Sequence, residues 1–438
     1  MDLFSQRLLN DGVRKREVFG WAMYDFANSG YTTVVLTAVF NAYFVSVVAQ
    51  GAPWATLAWT LAIAASSLIV MLTLPALGAH ADLRASKKRV LMGCTLACVL
   101  GTVALAGAGP GDLWWAVLAI VVSNVAYSYG ESLTAAFLPE LARPEALGRV
   151  SGWGWSFGYL GGMLTLGLSL AYVLAAQQRG ESATSFVPVT MVITATVYAL
   201  ASLATFTLLR ERAVPQSKAA QTSTGTGLGA SLARLADTWR SARRYGDFCW
   251  LLACGACYQA GIAVVITLAA IYAEQALGFK QADTMLLIFL VNIAAAAGAF
   301  AFGYGQDRIG HRLALALTLV GWIVMTVLAV LATSPGLFWV AALIAGLCMG
   351  SSQSAGRAMA GLFTPADRRG EFFGLWTFAT RASSIVGPLT FGLITWLTDG
   401  NQRLAMASTA VFFIAGLLLL AKVDMARGER AAMSGSAV

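Results

Sequence analysis

The 438-residue chain contains 58% hydrophobic residues and only 11% charged residues, and its mean hydropathy is +0.70. A typical soluble domain has about 25% charged residues, because it must cover its surface with polar groups. The composition therefore excludes an ordinary soluble enzyme, a disordered protein and a nucleic-acid-binding module. In a membrane protein the net charge of +8 matters mainly through the places where the basic residues lie.

Twelve apolar stretches, each long enough to cross a bilayer core, follow one another along the chain. They cover residues 19–48, 54–78, 89–108, 113–137, 149–175, 187–209, 248–274, 282–303, 313–333, 337–363, 371–397 and 403–422. The first stretch, of about 30 residues, is too long for the core of a signal peptide, so we expect it to remain in the membrane. The stretches predict an all-α membrane protein with twelve transmembrane helices.

The basic residues are distributed unequally between alternate loops. With a cytoplasmic N-terminus, 24 of the 29 Lys and Arg residues lie in cytoplasmic segments and only three in the opposite loops. This asymmetry predicts that both termini are cytoplasmic, and we expect a bacterial inner membrane. The predicted segments are a cytoplasmic N-terminal segment 1–18, a six-helix bundle 19–209, a cytoplasmic linker 210–247 with a surface-lying helix, a second six-helix bundle 248–422 and a cytoplasmic tail 423–438.

Two loop motifs occur once in each predicted half. The matched residues are Gly78 with Gly303, Asp82 with Asp307, Gly148 with Gly370, and Gly152 with Gly374. The offset is 225 residues for the first two pairs and 222 for the last two, which indicates a duplicated six-helix unit. Two parallel, pseudo-symmetric six-helix bundles are the architecture of major facilitator transporters.

The same loops contain residues suited to contacts between the halves. Glycines let two helices approach closely, an aspartate can lie at the positive N-terminal end of a facing helix, and arginines can bind the opposite half. We expect such contacts to break when one half rocks against the other, while the basic residues also set the topology. The predicted gating-loop residues are Gly78, Asp82, Arg84, Gly303, Asp307, Arg308, Gly310 and Arg312.

Several motifs resemble those of a known family. The loop Gly303-x-x-x-Asp307-Arg308-x-Gly310-x-Arg312 resembles the loop signature of the major facilitator superfamily, and its first-half copy is degenerate. Longer segments resemble the vacuolar effluxer-like (autophagy-related) family of that superfamily. They are WAMYDFANSGY at 21–31, FLPELA at 137–142, VSGWGWSFGYLGG at 150–162, QSAGR at 353–357, EFFG at 371–374 and SIVGP at 384–388.

The resemblance implies a twelve-helix secondary transporter, and the fungal members of the family are linked to amino-acid efflux from the vacuole. The chain departs from the family at one place, since it has Gln259-Ala260-Gly261 where the family tends to carry Asn-Asp-Gly. The missing acid weighs against a coupling scheme or a substrate that depends on it.

Four charged residues fall well inside the predicted spans: Asp25, Glu131, Arg357 and Arg381. A charge at a helix centre costs at least ~2.5 kcal/mol, so each is a functional candidate. Both acids belong to the N-terminal half and both bases to the C-terminal half, as expected of attractions that form and break between the halves.

The depths of these charges suggest how they pair. At 1.5 Å per residue, Asp25, Glu131 and Arg357 lie about 9 Å from the cytoplasmic ends of their helices, and Arg381 about 15 Å. We predict that Arg357 pairs with Asp25 or Glu131 when the cytoplasmic side is closed, and that one carboxylate exchanges a proton. The alternative is a permanent ion pair that orients helices.

Other polar and aromatic residues inside the predicted spans are candidates for the wall of a substrate cavity. In addition to Arg381 they are Asn28, Tyr31, Asn124, Tyr127, Gln259, Asn292, Gln353 and Trp376. The resemblance implies that the first, fourth, seventh and tenth helices face the central path. For each residue alone, a hydrogen bond between helices is an equal alternative to substrate contact.

Secondary active transport by alternating access is the function that these features predict. The expected substrate is a small polar metabolite, anionic or zwitterionic, such as an amino acid, and protons are the expected coupling ion. A transport-inactive membrane receptor or a passive facilitator of the same fold is the alternative.

Other chemistry has little support in the sequence. An embedded enzyme would need a nucleophile–base or metal cluster, but His80 and His311 lie in short basic loops. Cys254 and Cys257 have redox or zinc spacing, yet they lie in an apolar run without a second pair, which favours a small-residue helix surface. No Walker-type motif is present, so ATP is not expected to supply the energy. We expect no cofactor, metal or nucleic acid, and the expected partners of the monomeric chain are substrate, protons and the lipid bilayer.

Overall fold

The computed structural model describes residues 5–213, 244–277, 281–399 and 401–435. Twelve long helices and a short C-terminal one account for most of these residues. In chain order they are α1 Lys15–Val48, α2 Ala55–Leu83, α3 Lys87–Leu105, α4 Leu113–Ala135, α5 Leu147–Gln178, α6 Ala183–Leu208, α7 Gly246–Leu277, α8 Gln281–Ile309, α9 His311–Leu331, α10 Pro335–Leu362, α11 Arg369–Leu397, α12 Gln402–Leu420 and α13 Met425–Gly435. Most of the linker predicted at 210–247 lies outside the described residues.

The first helix changes its winding along its length. It is α-helical over Lys15–Tyr31 and π-helical over Thr32–Ala38 and again over Phe44–Val48. The first π-helical segment is rich in threonine and valine, whose β-branched side chains crowd a regular α-helix. π-Helical turns are frequent at functional sites, and Thr32, Thr33 and Thr37 from this segment line the central cavity described below.

Eleven of the twelve long helices contain a window that is long and apolar enough to cross a membrane. The exception is α11, the 29-residue helix Arg369–Leu397, which carries Glu371 and Arg381 and several hydroxyl and glycine residues. Its polar composition reflects its position, because α11 contributes Trp376, Thr377 and Arg381 to the cavity wall.

The hydrophobic core is divided into two clusters that follow the order of the chain. One contains buried residues from Leu9 to Leu209 together with Ala358, and includes the indoles of Trp21 and Trp153. The other extends over residues 248–423 and takes in Ala135 and Ala136 from the first half. We call the helices α1–α6 the N-terminal half and α7–α12 the C-terminal half.

The first and the last described segments, before α1 and after α12, lie at the same end of the helical bundle, which we call the terminal side. The segment before α1 runs against the α4–α5 connection, where the backbone amide of Asn10 donates to the carbonyl of Leu141 at 3.0 Å. At the other terminus, Arg427 of α13 forms an ion pair with Asp247 at the start of α7, at 2.6 Å. The segment predicted as a cytoplasmic tail, 423–438, therefore contains a docked helix. We call the opposite end of the bundle the far side.

Candidate functional site

On the terminal side, α2 and α11 of opposite halves are in direct contact. A Cβ atom added at Gly78 would lie only 2.2 Å from the carbonyl oxygen of Gly370, so the two backbones touch. One turn further along, the buried Asp82 accepts a hydrogen bond from the backbone amide of Glu371 at 3.1 Å. Its carboxylate therefore lies at the positive N-terminal end of α11, where a negative charge is stabilised.

The pseudo-symmetric contact joins α8 to α5. Gly303 packs against Gly148, whose carbonyl oxygen would lie 3.0 Å from a Cβ added at Gly303. Asp307 accepts from the backbone amide of Arg149 at 3.2 Å and pairs with the same residue's guanidinium at 3.1 Å. Each aspartate of the repeated loop motif thus caps the first turn of a helix in the opposite half.

Among the described residues, the remaining loop residues form no ion pair or hydrogen bond between the halves. Arg84 and Arg308 are exposed, and Gly310 has a positive φ of 92° at the start of α9. Arg312 donates to the carbonyl of Ala421 at 2.7 Å, which lies within its own half. In this conformation Arg312 therefore binds within its own half and not, as expected of the loop arginines, to the opposite half.

A second terminal-side network was not predicted from the sequence. Lys87, at the first turn of α3, is 99% buried and forms an ion pair with the buried Glu140 of the α4–α5 connection. Arg369 of the C-terminal half approaches the same carboxylate at 3.4 Å. Four of the six residues 84–89 are basic, and nothing in that run indicates which one is buried.

Between this closed terminal side and the far side, a cavity of about 470 Å³ lies between the two halves. Its floor is formed by Asp25 and Arg357, and it extends to Phe338 near the far-side end of α10. The lining residues Thr37 and Ile288 are exposed, which places the opening on the far side. The conformation is thus closed on the terminal side and open on the far side.

The floor of the cavity is a socket for the guanidinium of Arg357. This group donates to Asp25 at 2.6 Å, to the hydroxyl of Ser151 at 3.1 Å and to the carbonyl of Ser151 at 2.7 Å. Two indole rings flank it, with centroids 4.8 Å away for Trp21 and 5.3 Å for Trp155. An arginine of one half is therefore held entirely by residues of the other, and the indoles strengthen the hold by cation–π attraction.

A second ion pair in the cavity wall also joins the halves. Arg381 donates to Glu131 at 2.8 Å and lies over the ring of Tyr127, with the centroid 5.5 Å away. The prediction left Arg357 a choice between Asp25 and Glu131, and the structure pairs it with Asp25. The predicted difference in depth between Glu131 and Arg381 did not point to this pair, but the long arginine side chain can span such a difference.

Most of the predicted cavity residues line the cavity. They are Asn28, Tyr127, Gln259, Asn292, Gln353, Trp376 and Arg381. Gln259 and Gln353 exchange hydrogen bonds through their amides, with N–O distances of 2.7 and 3.1 Å, so α7 and α10 are joined at this level. Asn28 also lines the cavity, and its amide oxygen accepts a hydrogen bond from the hydroxyl of Tyr198 at 2.8 Å.

Two of the predicted cavity residues, Tyr31 and Asn124, do not line the cavity. Both are buried inside the N-terminal half, where Tyr31 bonds the hydroxyl of Ser123 at 2.8 Å and Asn124 bonds that of Ser66 at 2.5 Å. The alternative of a hydrogen bond between helices is the correct one for both. Tyr31 still influences the cavity, because its ring stacks on Tyr127 at 5.1 Å.

The contribution of α5 to the cavity was not predicted from the sequence. Trp155 and Tyr159 line the wall next to Arg357. In the same segment, Gly158 and Gly161 lie against α1. The four-residue spacing of the two aromatics, on a face away from those glycines, is the signal that could have identified them.

The fold has well-matched relatives among solved structures. The proton:xylose symporter XylE aligns with a TM-score of 0.71 and 15% identity, covering 94% of this chain and 96% of that one. The human organic anion transporter MFSD10 aligns with a TM-score of 0.68 and 16% identity, covering 93% and 99%. The fold is therefore that of a major facilitator superfamily transporter, and the predicted twelve-helix, two-bundle all-α membrane architecture is confirmed.

Sequence comparison defines the family more closely. The model described as "Vacuole effluxer Atg22 like" matches residues 55–148 and 145–433, and the chain belongs to that family. The uncharacterized MFS-type transporter YxiO of Bacillus subtilis is 26% identical over 411 residues, covering 92% of this chain and 94% of YxiO. Autophagy-related protein 22-1 of Aspergillus fumigatus is 25% identical over 310 residues, which are 65% of this chain and 49% of that protein. The protein is a multi-pass membrane transporter, and nothing in these relatives indicates an enzyme.

Proposed function

We propose that the protein is a secondary active transporter that moves a small anionic or zwitterionic metabolite by alternating access, coupled to protons. One observation carries the proposal. The cavity is sealed on the terminal side, and it is lined by two ion pairs, Asp25–Arg357 and Glu131–Arg381, each of which joins one half to the other.

The places where the halves touch support alternating access. The contacts of Gly78 with Gly370 and of Gly303 with Gly148 close the terminal side, and the capping bonds of Asp82 and Asp307 lie beside them. Opening that side requires these contacts and the two cavity ion pairs to separate. We take the terminal side to be cytoplasmic, because most Lys and Arg residues fall in its loops.

Arg381 is the residue that favours a substrate with a carboxylate. Its guanidinium lines the cavity, and among the described residues its buried Nε atom has no hydrogen-bond partner. A buried donor left unsatisfied costs about 1–3 kcal/mol, which a bound acceptor would recover. A carboxylate binds a guanidinium through two parallel hydrogen bonds, so an amino acid is the first substrate to test.

Glu131 is the better candidate of the two carboxylates for proton exchange. Its side chain is 37% exposed to the cavity, whereas that of Asp25 is only 13% exposed. A substrate carboxylate that takes over Arg381 would release Glu131 from its ion pair, so that substrate binding and proton exchange are linked at one arginine. The main role of Asp25 is then to hold Arg357 in an ion pair while the terminal side is closed. The family description makes export the direction to test first.

Transport by the purified chain in proteoliposomes tests the proposal. Radiolabelled amino acids, chosen by a thermal-shift screen, should accumulate when a pH gradient is imposed and only equilibrate without one. Glu131→Gln should abolish accumulation but keep exchange of labelled for unlabelled substrate, whereas Asp25→Asn should slow both. Glu145→Gln, the same change at an exposed position, is the matched control.

Three results would contradict parts of the proposal. Gradient-driven accumulation that survives in both Glu131→Gln and Asp25→Asn would refute the proton role. Equilibration of the wild-type protein with no response to the gradient would indicate a passive facilitator. A substrate that stabilises the protein against heating but never crosses the membrane would indicate a receptor.

A further inference from the structure

The loop between α2 and α3 forms a basic cavity on the terminal side, separate from the central one. Its volume is about 510 Å³, and it is lined by His80, Arg84, Ser86, Arg89 and Val90. The loop is short, since α2 ends at Leu83 and α3 begins at Lys87. The tight reversal brings two arginines five positions apart to one cavity.

Two positively charged side chains, Arg84 and Arg89, line this cavity. The neighbouring Lys87 is paired with Glu140, and the backbone amides that open α3 are occupied by the carboxylate of Glu211, at 2.8 Å from Lys87. Within the part of the chain that the structure describes, neither Arg84 nor Arg89 forms an ion pair or a hydrogen bond. Two guanidiniums that share a cavity repel each other, and an anion bound between them would relieve the repulsion.

An apolar stripe starts directly beside the cavity. Arg89 lies on the same face of α3 as Met92, Leu96, Leu100 and Val103, which follow at intervals of three or four residues. Their side chains are 54, 59, 58 and 43% exposed, so this face of a membrane-crossing helix lies open to lipid chains. A ligand that fits both features is an amphiphile with an anionic head and a long apolar chain.

We propose that this cavity binds the phosphate group of an anionic phospholipid whose acyl chain lies along α3. Arg84 and Arg89 contact the phosphate, and the stripe from Met92 to Val103 contacts the chain. The lipid would also act on conformation, because Asp82, two residues before Arg84, caps α11 on the closed terminal side. A loop held by lipid keeps that capping carboxylate in place, so an anionic bilayer would favour the conformation closed on the terminal side.

Native mass spectrometry of the full chain in detergent, titrated with phosphatidylglycerol, tests the site. Phosphatidylglycerol should bind more tightly than phosphatidylcholine of the same chain length. Each of Arg84→Gln and Arg89→Gln should weaken its binding about fivefold, and the double variant about 25-fold. Arg16→Gln removes the same charge from an exposed position on the same side and should leave the binding unchanged.

Three outcomes would overturn the proposal. They are equal binding of the two lipids, a double variant that binds phosphatidylglycerol as Arg16→Gln does, and displacement of the lipid by an equal concentration of inorganic phosphate, which would assign the cavity to a free anion. Both arginines are exposed, and if the double variant does not fold, the two single variants decide the question. The readout is independent of transport, so it stands whether or not the proposed transport function holds.

Discussion

Replacing Gly78 by alanine should shift the protein toward the conformation that is open on the terminal side. The added Cβ would lie 2.2 Å from the carbonyl oxygen of Gly370, whereas ordinary contact begins at 3.4 Å. The helices α2 and α11 must therefore move apart by about 1.2 Å, and such overpacking typically costs about 1–3 kcal/mol. The strain exists only while the terminal side is closed, so the opening equilibrium should rise about 5- to 150-fold.

Hydrogen–deuterium exchange measures this shift directly. In the closed conformation the amide of Glu371 donates to Asp82 at 3.1 Å and is buried at the α2–α11 contact. Its exchange requires the terminal side to open, so peptides that begin at the start of α11 should exchange faster by the same factor as the opening equilibrium rises.

A graded set of glycine variants tests whether these contacts hold the terminal side closed. Gly303→Ala should have a smaller effect than Gly78→Ala, because its nearest atom lies at 3.0 Å, where a slight adjustment suffices. Gly305→Ala, two residues along the same helix, meets nothing within 4 Å and should have none. Equal exchange in all three variants and the wild type would show that the glycine contacts do not hold the terminal side closed.

Three further predictions concern individual contacts. Arg357→Lys keeps the charge but loses the second bonded nitrogen and the planar stacking in its socket, so exchange at the start of α11 should quicken although transport persists. Lys87→Met should destabilise the protein by about 3 kcal/mol in thermal unfolding, since Glu140 keeps only a 3.4 Å contact with Arg369, and adding Glu140→Gln should restore most of that loss. Tyr31→Phe should lower stability by about 1 kcal/mol and leave the affinity for substrate within twofold of wild type. A large loss of affinity would instead show that Tyr31 contacts the substrate.

The helices and their order could be predicted because a bilayer imposes a simple rule on the chain. Each crossing needs about 20 apolar residues, and the predicted stretches match the observed helices to within a few residues at most ends. The largest differences are at α2 and α8, which continue five and six residues beyond the predicted ends through the loop motifs. Those extensions contain Asp82 and Asp307, whose polar side chains ended the apolar pattern although the helix continued.

The cavity could be predicted only in part because neighbouring positions on one helix can face different surroundings. Asn28 lines the cavity, whereas Tyr31, three residues later, is buried in its own half. On α4, Tyr127 lines the cavity, whereas Asn124, three residues earlier, is buried in its own half. Three residues turn a side chain by about 60° around the helix, which is enough to move it from the cavity to the core. A single sequence gives the spacing of such residues but not the rotation of each helix about its own axis.

The polar composition of α11 has a consequence for how the chain enters the bilayer. An arginine at the centre of an isolated helix costs about 2.5–3.5 kcal/mol to insert, and α11 lacks the apolar window that the other long helices possess. The cost of Arg381 falls when Glu131, on α4, is already in the membrane to receive it. Because α4 leaves the ribosome long before α11, the N-terminal half acts as a partner for the insertion of the C-terminal half. The carboxylate proposed to exchange protons in the mature transporter therefore also helps to integrate its most polar helix.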